Sequence, residues 1–131
     1  MEDNFKIEII SPEKIIFSDS AKIAKIPSYE GDLSILKKHI SIIAFLRPGI
    51  IKVEITSGKF EEFFVEDGTA EFFQDTLIIL SASAINIKDL TKEFLDNINK
   101  DTQEKLALQN ISDKDRYILN HKLDIIKEIR V

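Results

Sequence analysis

Glu30-Gly31-Asp32, followed by His39, is the densest group of chemically versatile side chains in the first half of this sequence. Two short acidic side chains around a backbone-flexible glycine can meet a basic partner through charge-assisted hydrogen bonds. Glu30, Asp32 and His39 could also be imagined as a metal set or a hydrolytic cluster, but one histidine with exposed carboxylates is a thin donor set. The bland reading is a solvated surface turn, which this composition also favours. His121 stands on a charged stretch with only Asp124 near it and reads as an exposed surface residue. The chain has no cysteine, hence no thiolate nucleophile and no disulfide framework. Five phenylalanines, Phe60, Phe63, Phe64, Phe72 and Phe73, fall close together. Phe63-Phe64 and Phe72-Phe73 are adjacent pairs, so on strands one ring of each pair must point to either side. The inward rings fill a core, a better account of their density than a ligand cavity, and the outward rings form an apolar patch.

The elements that must carry these residues divide the chain in two. Every glycine and proline lies at or before Gly68. Up to that point, turn residues separate short runs rich in β-branched and aromatic side chains, which predict strands at 5–9, 15–17, 21–26, 50–55, 62–65, 69–72 and 76–80. Lys22 and Lys25 bracket Ile23 and Ile26, and Lys52 and Glu54 alternate with Ile51, Val53 and Ile55, as expected when one face is wet and the other packed. Thr56-Ser57-Gly58-Lys59 predicts a hairpin turn with Gly58 at positive φ. From Ile87 onward the text is charged, breaker-free and rich in helix formers. Leu90, Phe94, Leu95, Ile98 and Leu106 make one apolar stripe; Ile118, Leu119, Leu123, Ile126 and Ile129 make a second. Between them, Ser112-Asp113-Lys114-Asp115 has the spacing of a capping box. The predicted fold is α+β in sequence order: an antiparallel β-sandwich over residues 1–86, then a two-helix antiparallel hairpin over 87–131. Each helix is too short to be stable alone and must pack on its neighbour, the sandwich or another protein.

Charge narrows the partners. Residues 1–86 hold nine basic and fourteen acidic side chains, net −5, and residues 87–131 hold nine of each. Such a balance argues against nucleic acid. No apolar run approaches the roughly 20 residues of a spanning helix, and the start Met-Glu-Asp-Asn is acidic where a signal peptide is basic. A soluble, cytosolic protein without direct membrane insertion is expected.

Pro27-Ser28-Tyr29-Glu30-Gly31-Asp32-Leu33-Ser34-Ile35-Leu36, then His39, then Leu46-Arg47-Pro48-Gly49, resembles the signature of the epsilon subunit of bacterial F-type ATP synthase. The resemblance extends upstream to Ile10-Ser11-Pro12-Glu13-Lys14-Ile15-Ile16-Phe17-Ser18 and downstream to Phe64-Val65-Glu66-Asp67-Gly68-Thr69-Ala70-Glu71. It covers about the first 85 residues; the tail is similar only in length and helical character. The family usually has Pro-Gly before the histidine and Ala-Pro after it, where this chain has Lys37-Lys38 and Ile40-Ser41. Its frequent double glycine is Asp67-Gly68 here, and Asp tolerates left-handed backbone better than most residues.

The resemblance implies a non-catalytic, central-stalk subunit. Its sandwich would clamp the gamma subunit and stand on the polar loops of the membrane c-ring at the cytoplasmic face of the bacterial inner membrane. Its helices would regulate ATP hydrolysis and reach the alpha and beta catalytic subunits when extended. Carried onto matching positions, the ring contact is Glu30, Gly31, Asp32 and His39. The pairing of the phenylalanines, rather than the resemblance, assigns the outward members of Phe63, Phe64, Phe72 and Phe73 to the apolar patch that meets gamma. Lys114, Arg116, Lys122, Lys127 and Arg130 are available for an acidic partner, although interleaved carboxylates make a solvated helix face an equal reading. Some relatives bind ATP through an Ile-Asp pair followed by Arg-Ala. Here Asp89 matches, but Lys92 replaces the arginine and Glu93 the alanine. Lysine meets phosphate as a point charge rather than bidentately, so weak or absent ATP binding and no cofactor are expected. An ATP-sensing module is the competing class, and a stand-alone enzyme comes last, for want of a recognisable nucleophile, metal set or phosphate loop.

Overall fold

Alternating β-branched and aromatic residues form nine strands in the structure, a computed structural model that describes residues 3–129. They are β1 (Phe5–Ile10), β2 (Ile15–Ser28), β3 (Gly31–Leu36), β4 (Ile42–Leu46), β5 (Gly49–Ile55), β6 (Phe60–Val65), β7 (Gly68–Phe73), β8 (Thr76–Leu80) and β9 (Ile85–Asn86). A single 3₁₀ turn (Ile87–Asp89) leads into α1 (Lys92–Leu106) and α2 (Asp113–Glu128).

The hydrogen-bonded order is β1-β8-β7-β4-β2-β5-β6-β9, with β3 paired to β2 and β1 closing back onto β2. β2 is shared: its first half ladders with β1 and its second with β3 and β5. The sequence predicts two strands here, separated at Ser18-Asp19-Ser20, but these residues lie in register opposite Glu8, Ile7 and Lys6 and the strand is continuous. β3 and β4, which begin and end beside the acidic turn, are not among the strands the sequence predicts. All ladders are antiparallel except β1 with β8, which run parallel from Lys6↔Thr76 to Ile10↔Leu80. Between the sheets, Phe5, Ile7, Ile9, Ala24, Ile26, Ile51, Val53, Phe63, Phe72, Leu77 and Ile79 are sealed from solvent. Each large side chain so buried contributes about 1.5–3 kcal/mol.

Two departures from simple alternation matter. A register shift between Ala21 and Ile23 puts Lys22 and Ile23 both on the wet side, so Ile23 is exposed rather than packed as the alternation predicts. At the second glycine-bearing turn, the left-handed backbone falls on Gly68 at φ 146°, not on Asp67. A Cβ at Gly68 would stand 2.5 Å from the Leu80 carbonyl oxygen, so this position needs glycine for room as well as for φ. Gly58 takes φ 89°, as the hairpin reading expects.

Both helices start on side-chain caps. Thr91 Oγ1 accepts the Phe94 amide at 3.1 Å, and Ser112 Oγ accepts the Asp115 amide at 3.0 Å, the contact its spacing predicts. The hairpin lies on the outer face of β5 and β6, where Phe64 is buried with Leu90, Leu95 and Ile126 beside Ile50 and Ile85.

Candidate functional site

Tyr29-Glu30 forms the tight link between β2 and β3, and Gly31, at φ 122°, and Asp32 open β3. Ser28 Oγ donates to the Gly31 carbonyl and closes the turn. Asp32 is held in place: Arg47 Nη2 donates to its Oδ1 at 3.1 Å, and Lys25 Nζ lies 3.5 Å from its Oδ2. Glu30 is exposed and makes no ion pair among the described residues. The β2–β3 turn, the outer side of β4 and the β6–β7 turn bound a groove of about 900 Å³, lined by Glu30, Asp32, Ile43, Phe45, Asp67 and Lys114 among others. Asp32 is offset by Arg47 and Lys25, so the open charges of the groove are the carboxylates of Glu30 and Asp67 against the ammonium of Lys114, over an apolar floor.

His39 is not part of this groove. It lies beyond the far end of β3, whose six residues separate it from Gly31 by about 20 Å. There its amide donates to the Leu36 carbonyl at 3.0 Å, and its ring meets Phe72 edge-on at 6.0 Å. The four residues assigned together from sequence therefore sit at two ends of the sandwich, because a strand runs between them. The same separation rules out a shared cluster of Glu30, Asp32 and His39. Among the described residues, no group of three or more His, Cys, Asp or Glu side chains could hold a metal ion. The altered loop turns through Lys38 at φ 68°, with the Lys38 amide donating to Asp75 Oδ1 at 2.8 Å.

The tail is fastened beside the groove at two points. Tyr117 of α2 stacks on Tyr29 with ring centroids 6.4 Å apart, and His121 meets Tyr117 edge-on at 4.4 Å. One helical turn further, Lys122 is buried and pairs with Glu66. The Tyr29 phenol is held above its usual range, first by burial and then by the nearby carboxylate of Asp67, by Tyr117 and by Asp115. His121 is thus half-buried against an aromatic ring, not the free surface residue the sequence suggests. Helical periodicity marks its stripe neighbours but carries no signal for a ring supplied by the sandwich.

The aromatic pairs resolve unevenly. Phe63 and Phe72 point into the core, Phe64 faces outward but is covered by the hairpin, and only Phe73 is exposed, at 55 %. The open apolar surface lies instead on the outer side of β4, β7 and β8, where Ile43, Phe45, Phe73 and Leu80 are all exposed. Nothing in the alternation of these strands marks Ile43, Phe45 and Leu80 as exposed, because which face is covered depends on the neighbouring sheet and the tail. Among the tail cations, Lys114, Arg116 and Lys127 are exposed, Lys122 is occupied by Glu66, and Arg130 lies outside the described residues. Asp89 and Lys92 are exposed at the start of the tail.

A sandwich with an acidic groove, an uncovered apolar face and a helical hairpin clasped at its side defines a docking module. The chain belongs to the family of ATP synthase epsilon chains. A family model described as "ATP synthase, Delta/Epsilon chain, beta-sandwich domain" matches residues 4–87. The chain is 39% identical over 130 residues to the ATP synthase epsilon chain of Pelagibacter ubique, covering 98% of this chain and 99% of that one. It is 32% identical over 130 residues to the epsilon chain of Parvibaculum lavamentivorans, covering 99% and 98%. In fold it is similar to a chain of the Euglena gracilis mitochondrial ATP synthase, with TM-score 0.74, 19% identity and coverage of 97% and 79%. It is also similar to one in the central stalk and c-ring of the Tetrahymena thermophila enzyme, with TM-score 0.63, 17% identity and coverage of 94% and 93%. No helix among the described residues is long and apolar enough to cross a membrane.

Proposed function

We propose that this chain is the rotor subunit of a proton-translocating F-type ATP synthase, joining gamma to the c-ring in the central stalk at the cytoplasmic face of the bacterial inner membrane. It performs no chemistry of its own. The observation that carries this reading is the division of the sandwich surface. One sheet is covered by the hairpin through Phe64 and Ile50, whereas the other leaves Ile43, Phe45, Phe73 and Leu80 open to solvent. An apolar face of this kind is a surface for a protein partner, and gamma is the partner the family supplies. The groove beside it, where Glu30 makes no ion pair among the described residues, is the surface for the polar loops of the c-ring. His39, at the other end of β3, is assigned to the sandwich core edge and not to the ring.

The hairpin is the regulatory part. It is held by a small apolar cluster, one aromatic stack and one ion pair, so a rival surface on gamma and the alpha and beta subunits can draw it out. Extended along the stalk, it would block rotation in the hydrolysis direction, with Lys114, Arg116 and Lys127 facing acidic partners. Residues 1–86 and 87–131 thus act as a clamp and a brake.

The test is titration into an epsilon-free catalytic core containing gamma, following binding and ATP hydrolysis together. Full-length chain should bind and slow hydrolysis, and F45E or F73E should weaken binding by tenfold or more. The E66C/K122C variant, bridged by a short bis-maleimide, should bind but no longer inhibit. Unchanged binding by both phenylalanine variants would overturn the assignment of the apolar face; full inhibition by the bridged protein would overturn the brake.

A further inference from the structure

Two backbone irregularities, one in β2 and one just past β3, deliver lysines to the same place. The register shift between Ala21 and Ile23 leaves Lys22 out of the ladder with β5 and turns Lys22 and Ile23 to the wet side together. Beyond the end of β3, Lys38 takes φ 68°, a left-handed backbone in which glycine would sit without strain. Its amide is held there by Asp75 Oδ1 at 2.8 Å. Ile23 stands in register with Leu36, the last residue of β3, and the two are 37% and 49% exposed. Lys22, Ile23, Leu36, Lys37 and Lys38, with Asp3, bound a hollow of about 750 Å³. It shares no lining residue with the groove at Glu30, and none with the cluster under the hairpin. Strain at a non-glycine residue persists where the side chain it aims has a use.

We propose that this hollow binds an acidic segment of a partner protein, which seats one apolar side chain on Ile23 and Leu36 and sets its carboxylates against Lys22 and Lys38. Charge selects the occupant. Three ammoniums and one carboxylate, that of Asp3, line the hollow; Glu54, opposite Ile23 on β5, lies outside the lining, as do Asp75 and Lys59. Lys22 and Lys38 make no ion pair among the described residues, whereas Lys25, further along β2, is engaged by Asp32 and takes no part. The balance in the lining is thus opposite to that of the whole chain, whose net charge is −5. The same net charge decides against an anionic membrane, which meets a whole face of the protein at once. Half-exposed Ile23 and Leu36 also offer a shelf for one side chain, not a cavity for an acyl chain. The surfaces assigned above to gamma and to the c-ring use other residues, so both can be seated with the hollow open.

The probe is a fluorescein-labelled synthetic peptide, Glu-Asp-Leu-Glu-Asp, titrated with the full-length chain at low salt and followed by anisotropy. The same peptide with lysines for its acids and vesicles of phosphatidylglycerol are run beside it. The acidic peptide should bind with a dissociation constant of about 0.1–1 mM, and the lysine peptide should not bind. K38G and I23S should each weaken binding about threefold, the scale of one exposed contact, and K22E/K38E about tenfold. K38G separates a ligand role from a structural one: it relieves the strain, so its affinity should fall while its melting temperature does not. No binding of the acidic peptide at about 1 mM, equal binding of the lysine peptide, or affinity unchanged in K38G and K22E/K38E would overturn the inference. The stalk function would stand, since neither gamma nor the ring enters the measurement. Vesicle binding that K22E/K38E abolishes, without peptide binding, would overturn the choice of a protein segment as occupant.

Discussion

Lys122, in the middle of α2, reaches across to Glu66 at the end of the sandwich, and its side chain is only 10% exposed there while that of Glu66 is 35% exposed. The pair spans the boundary between the two parts of the chain. It ties one position of α2 to one position of the sandwich.

Removing one partner should therefore loosen the tail more than it destabilises the sandwich. K122A should cost about 1–2 kcal/mol of docking, between the values for exposed and buried pairs. Tail cleavage by a protease would rise roughly 5–30-fold. K122M should be milder, since the stem still packs. A double exchange, E66K/K122E, should recover part of the loss; recovery absent in the double variant would show that the packing, not the pair, matters.

Lys38 offers the opposite case. It sits at φ 68° on an exposed loop, a conformation that costs a non-glycine residue about 1–2 kcal/mol. K38G keeps the amide that donates to Asp75 and relieves this strain, less the entropy glycine adds to the unfolded chain. A net gain of about 1 kcal/mol, or roughly 4 °C in the melting temperature of the sandwich, is expected. No gain in a thermal melt would show that the loop tolerates the lysine without strain.

The Tyr29 phenol is pushed above its usual value of 10.0, chiefly by burial. Its neutral form is the one the docked state favours. The contribution is therefore complete below the unfolded-state value and is lost as pH rises through that value toward the higher folded-state one. Tail docking should weaken from about pH 10 upward, and Y29F, which cannot ionise, should weaken less. Tail cleavage measured against pH in the two proteins gives the difference directly; identical profiles would remove Tyr29 from the clasp.

ATP should not bind the tail with submillimolar affinity. Lys92 opens α1 with Glu93 beside it, so a carboxylate already occupies the first turn, where a helix would otherwise favour phosphate. Calorimetry that detects a submillimolar site would return the ATP-sensing reading to first place.

Local physics explains how much of this was legible in the sequence. Segregation of glycine and proline before Gly68 separated a strand-rich half from a helical one, Gly58 marked its hairpin, and Ser112 marked the start of α2, because turns, caps and stripes depend on residues a few positions apart. The family signature likewise lies within one continuous string. What only the tertiary structure decided depends on which strand lies beside which. The bulge near Ala21 turned Ile23 outward, the hairpin covered Phe64 and left Phe73 bare, and β3 carried His39 away from Glu30. Above all, Tyr29 with Tyr117 and Glu66 with Lys122 meet across 88 and 56 residues of chain. Contacts at such separations carry no periodicity and no spacing rule, since they arise only when packed sheets and helices bring distant side chains to the same place.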